Sequence, residues 1–379
     1  MRYLEIEKYF GFLFHPLDII YAKAQIGILE KNEVVAKLFR TRFFFRKPTH
    51  LQIHRLARFY PLECLNFWLM NGCTDPILLA IAGKYGITLP NDVVKKCLNS
   101  TNPDTILLKK RWSGLNCYLY SYGLNQVASS KIWKFKINYG QSSSLALNYK
   151  VTVLMTCFNS TKTVESAIES LLNQTFKNIQ ILIIDDASND DTYEKLVFLQ
   201  KKYYKRDIRI FKNEVNCGTY ASKLKLVDYV ASDTDFITCM DSDDWSHPEK
   251  IHRQVQFLLD HPKKVANISY WIRFDEYGIP WSKRIFPYLS LNPSSLMIRK
   301  GVIEQLGKLW DSKVRIGADQ ELILRISEIF GENSIGYLRL PLTFARHREG
   351  SLTTAPDTST ETNSGQFLRA NYIHRSFFN

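Results

Sequence analysis

Between Tyr149 and Met240 the chain alternates short, apolar, β-branched runs with segments of helical spacing. No other feature constrains the fold as strongly. Val151-Thr152-Val153-Leu154-Met155-Thr156 reads as a buried strand. Thr163 to Asn173 follows with apolar residues at helical spacing: Val164, Ile168, Leu171 and Leu172. Ile179 to Ile184 is a second strand, Asp190 to Tyr203 a helix, Ile208 to Phe211 a third strand, and Ala221 to Val230 a helix. Phe236 to Met240 is a further strand. Such alternation predicts an α/β fold with a parallel sheet and right-handed crossovers. Ligands of these sheets lie beyond the C-terminal ends of the strands.

The residues at those ends carry the chemistry. After the last strand, Asp241-Ser242-Asp243-Asp244 places three carboxylates within four residues. Acids that close repel one another unless a cation neutralises them, and hard oxygen ligands suit Mg²⁺ or Mn²⁺. An ion held by one or two carboxylates can also grip a diphosphate. The other reading is a helix opening, with Ser246 or Asp244 as N-cap ahead of Pro248-Glu249-Lys250. The first two strands end in Thr156-Cys157-Phe158-Asn159 and Asp185-Asp186-Ala187-Ser188. A carboxylate there can accept from a base-ring N–H or from ribose hydroxyls. Asn216-Cys217-Gly218-Thr219-Tyr220 follows the third strand. Gly218 permits close backbone approach, and Lys223 on the next helix is a candidate phosphate contact. Neither GxGxxG nor GxxxxGK[ST] follows these strands, so dinucleotide and P-loop fingerprints are absent.

In this order and spacing, residues 149 to about 353 resemble a family 2 glycosyltransferase of the GT-A fold. The matching pieces are Val153 to Asn159, Ser170 to Thr175, Ile184 to Ser188, Asn216 to Tyr220 and Asp241 to Asp244. The Asp-Asp-Trp-Ser-His-Pro version resembles a subgroup linked to bacterial capsule and lipopolysaccharide synthesis. The resemblance implies a Rossmann-like, mostly parallel GT-A domain and an inverting, metal-dependent transfer from a nucleotide-sugar, most often a UDP-sugar. It implies that Asp186 contacts the nucleobase, that Asp241 and Asp243 lie near ribose and sugar, and that Asp244, with Asp243, holds Mn²⁺ or Mg²⁺. Thr156, Phe158, Asn159, Asn216, Gly218, Thr219 and Lys223 complete the donor side. Arg315-Ile316-Gly317-Ala318-Asp319-Gln320-Glu321 is similar to the family segment that carries the catalytic base. Asp319 is its only carboxylate in register; the competing reading is an N-cap, and Glu321 is a candidate for the acceptor side. Arg346-His347-Arg348 resembles the closing motif, where a basic group approaches the diphosphate. Which of His347 and Arg348 does so stays open. Two other classes compete: a non-catalytic carbohydrate-assembly module of the same fold, and a nucleotidyltransferase.

Charge divides the chain. Residues 1–150 hold 21 Lys and Arg against 9 Asp and Glu, and residues 151–379 hold 29 against 28. Arg40, Arg42, Arg46 and Lys47 alternate with Phe39 and Phe43 to Phe45. This pattern suits an anionic glycan or a membrane surface, or simply a solvated helix face. The expected acceptor is therefore a glycan or a lipid-linked sugar, with an anionic acceptor within the reading; no nucleic-acid partner is expected. Seven scattered cysteines without CxxC spacing, no signal-peptide pattern and no transmembrane stretch point to a cytoplasmic protein, with peripheral contact at the inner membrane. The expected organisation is a helical, basic N-terminal domain over 1–130, a linker over 131–148, the GT-A domain over 149–355 and a tail over 356–379.

Overall fold

The computed structural model describes residues 87–98, 115–136 (apart from 126, 132 and 133), 148–282 and 288–348, with a few isolated positions elsewhere. The basic cluster at Arg40 to Lys47, most of the expected helical domain and most of the tail lie outside the described residues. The chain divides into two compact units, residues 1–109 with 282–287, and residues 110–281 with 288–379. In the first, helix α1 (Asn91–Leu98) carries Asp92 in its first turn and Lys95 and Lys96 in its last, the order that complements the helix dipole.

The second unit begins with helix α2 (Leu115–Ser121) and a hairpin of β1 (Ala128–Lys131) and β2 (Lys134–Lys136). Its central sheet follows the expected alternation: β3 (Val151–Cys157), α3 (Val164–Leu172), β4 (Ile179–Asp185), α4 (Thr192–Lys202), β5 (Asp207–Lys212), α5 (Thr219–Val227) and β6 (Phe236–Cys239). These four strands run parallel in the order β5-β4-β3-β6. Past β6 the sheet becomes mixed. Strand β7 (Trp245–Ser246) and helix α6 (Lys250–Asp260) lead to β8 (Ala266–Phe274), β9 (Pro280–Trp281), β10 (Ser290–Leu291), β11 (Met297–Arg299), α7 (Ile303–Leu306), α8 (Ala318–Phe330) and β12 (Ile335–Arg346). Strand β11 lies antiparallel between β6 and β8, and β8 pairs in parallel with β12. The α/β class and a parallel nucleus are thus present, extended by a mixed wing.

Alternation along each strand sends apolar side chains to both faces. Val151, Val153, Met155, Ile181 and Ile183 pack with Ile168, Leu171, Leu196, Ile251 and Val255 of α3, α4 and α6. Leu154, Leu182, Ile184, Ile237 and Ile268 pack on the opposite face with Leu226 of α5 and Leu322 and Ile326 of α8. Each such buried aliphatic side chain contributes about 1.5–3 kcal/mol. Two filled faces hold β3, β4 and β6 level, so their C-terminal ends open at one edge.

The second unit starts at Lys110, ahead of the end at residue 130 expected for the N-terminal domain. His247 and Glu249 explain why. The Nε2 of His247 lies 2.9 Å from the carbonyl of Asn125, and the Asn125 N–H donates to Glu249 Oε1 at 2.8 Å. Arg253 pairs with Glu249 at 2.7 Å and donates to the carbonyl of Gly123. His247 and Glu249, at the opening of α6, therefore also form a socket for the turn after α2.

Candidate active site

Two loops at the strand ends are stitched together by short side chains. The Asn159 N–H donates to Ser188 Oγ at 2.9 Å, and the Asn189 N–H donates to Asn159 Oδ1 at 3.0 Å. Asn159 adopts φ of 50°, a left-handed conformation that Asn tolerates well. Thr156 Oγ1 lies 2.8 Å from Thr219 Oγ1, which joins the end of β3 to the start of α5. Phe158 stands 47% exposed at this edge, an open ring face beside the loops.

Asp186 organises the donor corner. It is 3% exposed, and its Oδ1 accepts from Asn213 Nδ2 (2.7 Å), the Cys217 N–H (2.9 Å) and Ser222 Oγ (2.9 Å). Its Oδ2 accepts from the Gly218 N–H at 2.8 Å. These four bonds satisfy a carboxylate that burial has taken out of water. They also fix the 216–218 loop against the sheet, and Oδ2 keeps a lone pair for a ligand. Gly218 has φ of +87°, and a Cβ there would lie 3.5 Å from Arg315 Cγ. Arg315 donates to Asn216 Oδ1 at 2.7 Å and so links this loop to the segment ahead of α8.

The acid loop has the opposite character. Asp241 faces the ammonium of Lys223 at 3.7 Å, and Asp243 pairs with Arg348 at 2.9 Å. Asp244 is 7% exposed and accepts the Arg346 N–H at 3.2 Å, while Arg346 Nε donates to the Asp243 carbonyl. Burial, then the charges of Asp243 and Asp241, push the Asp244 carboxyl well above its ordinary value; Arg273 opposes them. These contacts place Asp244 in the acid loop, facing β12, and not at the N-cap of α6, which is Glu249. The guanidinium of Arg273 lies 4.0 Å from the Trp271 ring, and Trp281 stacks on His347 at 3.9 Å. Arg346 and Arg348 of the closing motif thus both touch the acid loop, while His347 lies on the aromatic stack.

Asp319 approaches from the first turn of α8, whose N-cap Gly317 has φ of 90°. Trp310 Nε1 donates to its Oδ1 at 3.1 Å, and the Tyr220 hydroxyl lies 3.3 Å from its Oδ2. It borders an apolar cavity lined by Ile237, Leu296, Ile298, Leu309 and Trp310. Burial raises its pKa; Asp241 adds to the rise, while Lys223, Trp310 and Tyr220 oppose it. Lys223, read as a phosphate contact, is 1% exposed and sits beneath Asp241. Burial opposes its charge, yet the acidic groups of Asp241 and Asp319 outweigh burial and raise its pKa. Glu321 pairs internally with Arg325 at 2.7 Å. Arg325 in turn donates to the carbonyls of Leu306, Lys308 and Leu309, just ahead of Trp310.

The donor set of the acid loop fits a divalent cation. Asp244 is a hard oxygen donor, buried, and crowded by two like charges that a cation relieves. Among the described residues, no three His, Cys, Asp or Glu side chains converge as a self-sufficient metal centre. The protein would thus contribute one or two ligands, Asp244 with Asp243, and leave the rest to a diphosphate and water.

Tyr220, Trp310, Arg273 and Arg315 carry roles here that were not assigned from the sequence. Tyr220 stands inside a quoted motif, but its partner lies 99 residues away. Arg315 likewise opens the Arg315 to Glu321 segment, with its partner Asn216 99 residues away; nothing local marks Trp310 or Arg273.

The family model for glycosyl transferase family 2 matches residues 152–318, the span from β3 to the start of α8. The chain carries a family 2 glycosyltransferase domain. This domain is 32% identical to EpsE of Bacillus subtilis over 138 residues, 36% of this chain and 48% of that protein. It is 29% identical over 125 residues, 33% of this chain and 47% of the relative, to the Escherichia coli protein WfaP, named as a UDP-Glc:alpha-D-GlcNAc-diphosphoundecaprenol beta-1,3-glucosyltransferase. The matches span about half the length of these relatives. A crystal structure of S. aureus TarS 1–349 with UDP-GlcNAc aligns over 60% of this chain and 73% of that one, at 16% identity and a TM-score of 0.44. Among the described residues, no helix is long and apolar enough to cross a membrane.

Proposed function

We propose that this chain transfers a sugar from a nucleotide-sugar to an acceptor hydroxyl, with inversion at the anomeric carbon. One observation carries the reading: the acid loop after β6 and Asp319 at the start of α8 meet around the buried ammonium of Lys223. A donor held by the loop then has its anomeric carbon on the side of the carboxylate with the raised pKa. Asp319 takes the proton as the acceptor oxygen attacks. The bond from the anomeric carbon to the diphosphate oxygen breaks, and its electron pair leaves with the nucleoside diphosphate. Arg346 and Arg348, already on the acid loop, stabilise that leaving charge. Asp186 offers Oδ2 to the base, and Phe158 offers its exposed ring. Mn²⁺ or Mg²⁺, held through Asp244 and Asp243, supplies further charge neutralisation when bound.

UDP is the favoured nucleotide, since the name of WfaP specifies UDP-Glc. The same name favours a lipid-linked or glycan acceptor, and surface-polysaccharide assembly as the setting. The basic first 150 residues suit an anionic acceptor or the cytoplasmic face of the inner membrane. A panel of sugar nucleotides, incubated with the purified chain in Mn²⁺ or in EDTA, tests the reading. Release of nucleoside diphosphate from one donor, lost in EDTA, is expected. Release from none of them with Mn²⁺ overturns it in favour of a non-catalytic module.

A further inference from the structure

The environment of Asp319 is more specific than a general base requires. One donor reaches each of its oxygens, Trp310 Nε1 at Oδ1 (3.1 Å) and the Tyr220 hydroxyl at Oδ2 (3.3 Å). The two donors come from different parts of the fold, Tyr220 from α5 and Trp310 from the turn ahead of α8. Both rings are buried, at 6% and 4% exposure. Lys223, one helical turn after Tyr220, places its ammonium 5.9 Å from each ring centroid, within cation–π range. The turn bearing Trp310 is itself anchored by Arg325, which Glu321 holds. These contacts fix the plane of the carboxylate and leave each oxygen one further lone pair.

We propose that Tyr220 and Trp310 are positioning residues that clamp Asp319 and direct the acceptor proton to Oδ2. This rests on the reading of Asp319 as the base. An indole N–H only donates, so Oδ1 stays an unprotonated acceptor. A phenol hydroxyl donates or accepts, so Tyr220 turns its hydrogen away once Oδ2 carries the proton. The acceptor O–H bond breaks, the proton goes to Oδ2, and the acceptor oxygen bonds to the anomeric carbon as the bond from that carbon to the diphosphate oxygen breaks and its electron pair leaves with the nucleoside diphosphate. Burial, and then the charge of Asp319, hold the Tyr220 phenol protonated, as a donor needs. The other titratable groups facing Asp319 are Lys223, Asp241 and Cys239. Burial pushes the Cys239 thiol up to about 12, so it is neutral.

Carboxyl-¹³C aspartate NMR of the full chain tests the clamp without any substrate. Asp319→Asn assigns the resonance; Tyr220→Phe and Trp310→Phe each delete one donor and keep a ring. Both donors favour the ionised carboxylate, so each deletion raises the Asp319 pKa. Turnover of the donor found in the panel, UDP-glucose included, should fall on the order of tenfold in each. UDP binding by calorimetry should not change. An Asp319 pKa equal to wild type in both variants overturns the clamp, even where Asp319→Asn is inactive. A shifted pKa with an active Asp319→Asn overturns instead the base reading and, with it, the destination of the proton. Tyr220→Phe alters no packing, so it keeps the test valid if Trp310→Phe does not fold.

Discussion

Asp186 and Asp244 lie in the loops that follow β4 and β6 of one sheet, and both are almost completely buried. Asp186 receives four hydrogen bonds from side chains and backbone. Asp244 receives a single N–H from Arg346 and faces two like charges, opposed by Arg273. The first carboxylate is finished by the protein itself, and it builds the loop that a nucleotide would meet. The second is left electrostatically incomplete, and burial holds it so. Where a protein leaves a buried charge in that state, a ligand is the usual partner. Under the proposed function the Asp186 corner is chiefly architecture and the Asp244 corner captures the ligand.

Replacing each carboxylate should break the comparison in opposite directions. Asp186→Ala strands the N–H groups of Cys217 and Gly218 and the polar atoms of Asn213 and Ser222. A loss of roughly 3 kcal/mol in chemical denaturation is expected, since bonds to charged groups are each worth about 1.5–3 kcal/mol. A loss below about 1 kcal/mol would show that water replaces the carboxylate and that the corner is not architectural.

Asp244→Asn should have the reverse sign and a smaller size. A carboxyl whose folded pKa is raised contributes stability below its unfolded value and loses it as pH rises through the folded one. At neutral pH that cost is present in wild type and absent in the Asn variant. A gain of about 0.5–2 kcal/mol is expected without metal, in the range of relieved functional sites. Mn²⁺ with UDP should raise the melting temperature of wild type and leave the variant unmoved. A variant that melts lower than wild type in EDTA would remove the claim of frustration.

The smallest effect belongs to the socket beneath the acid loop. Burial lowers the His247 pKa below its ordinary value. A depressed histidine binds fewer protons folded than unfolded, so stability falls as pH drops below about 6.5. His247→Gln should flatten that slope by on the order of 1 kcal/mol between pH 7 and 5. Melting curves that stay parallel in the two proteins would place the acid sensitivity elsewhere.

Much of this architecture is legible in the chain because parallel βαβ units announce themselves. Their strands are buried on both faces and read as continuous runs, as in Val151 to Thr156. The wing from β8 to β12 is harder to read. Tyr270-Trp271-Ile272-Arg273 mixes aromatics and charge, and β8 pairs with four different strands. The site divides in the same way. Asp241, Asp243 and Asp244 are conspicuous because they are adjacent, and Asp319 because it sits in a recognisable segment. Tyr220, Trp310 and Arg315 act through contacts that only the closed sheet creates, such as Arg315 on Asn216. His247 and Glu249 show the complementary case: residues suited to opening a helix are engaged by a turn more than 120 positions away, with separations of 122 and 124.

The central claim is that the acid loop and Asp319 form one site for glycosyl transfer, with binding on one side and proton transfer on the other. Asp319→Asn is the most direct test, because it keeps shape and removes only the base. Calorimetry with UDP and Mn²⁺ should give the wild-type affinity, while turnover of the donor falls on the order of 10²-fold or more. Near-normal turnover in Asp319→Asn would contradict the account, whatever happens to binding.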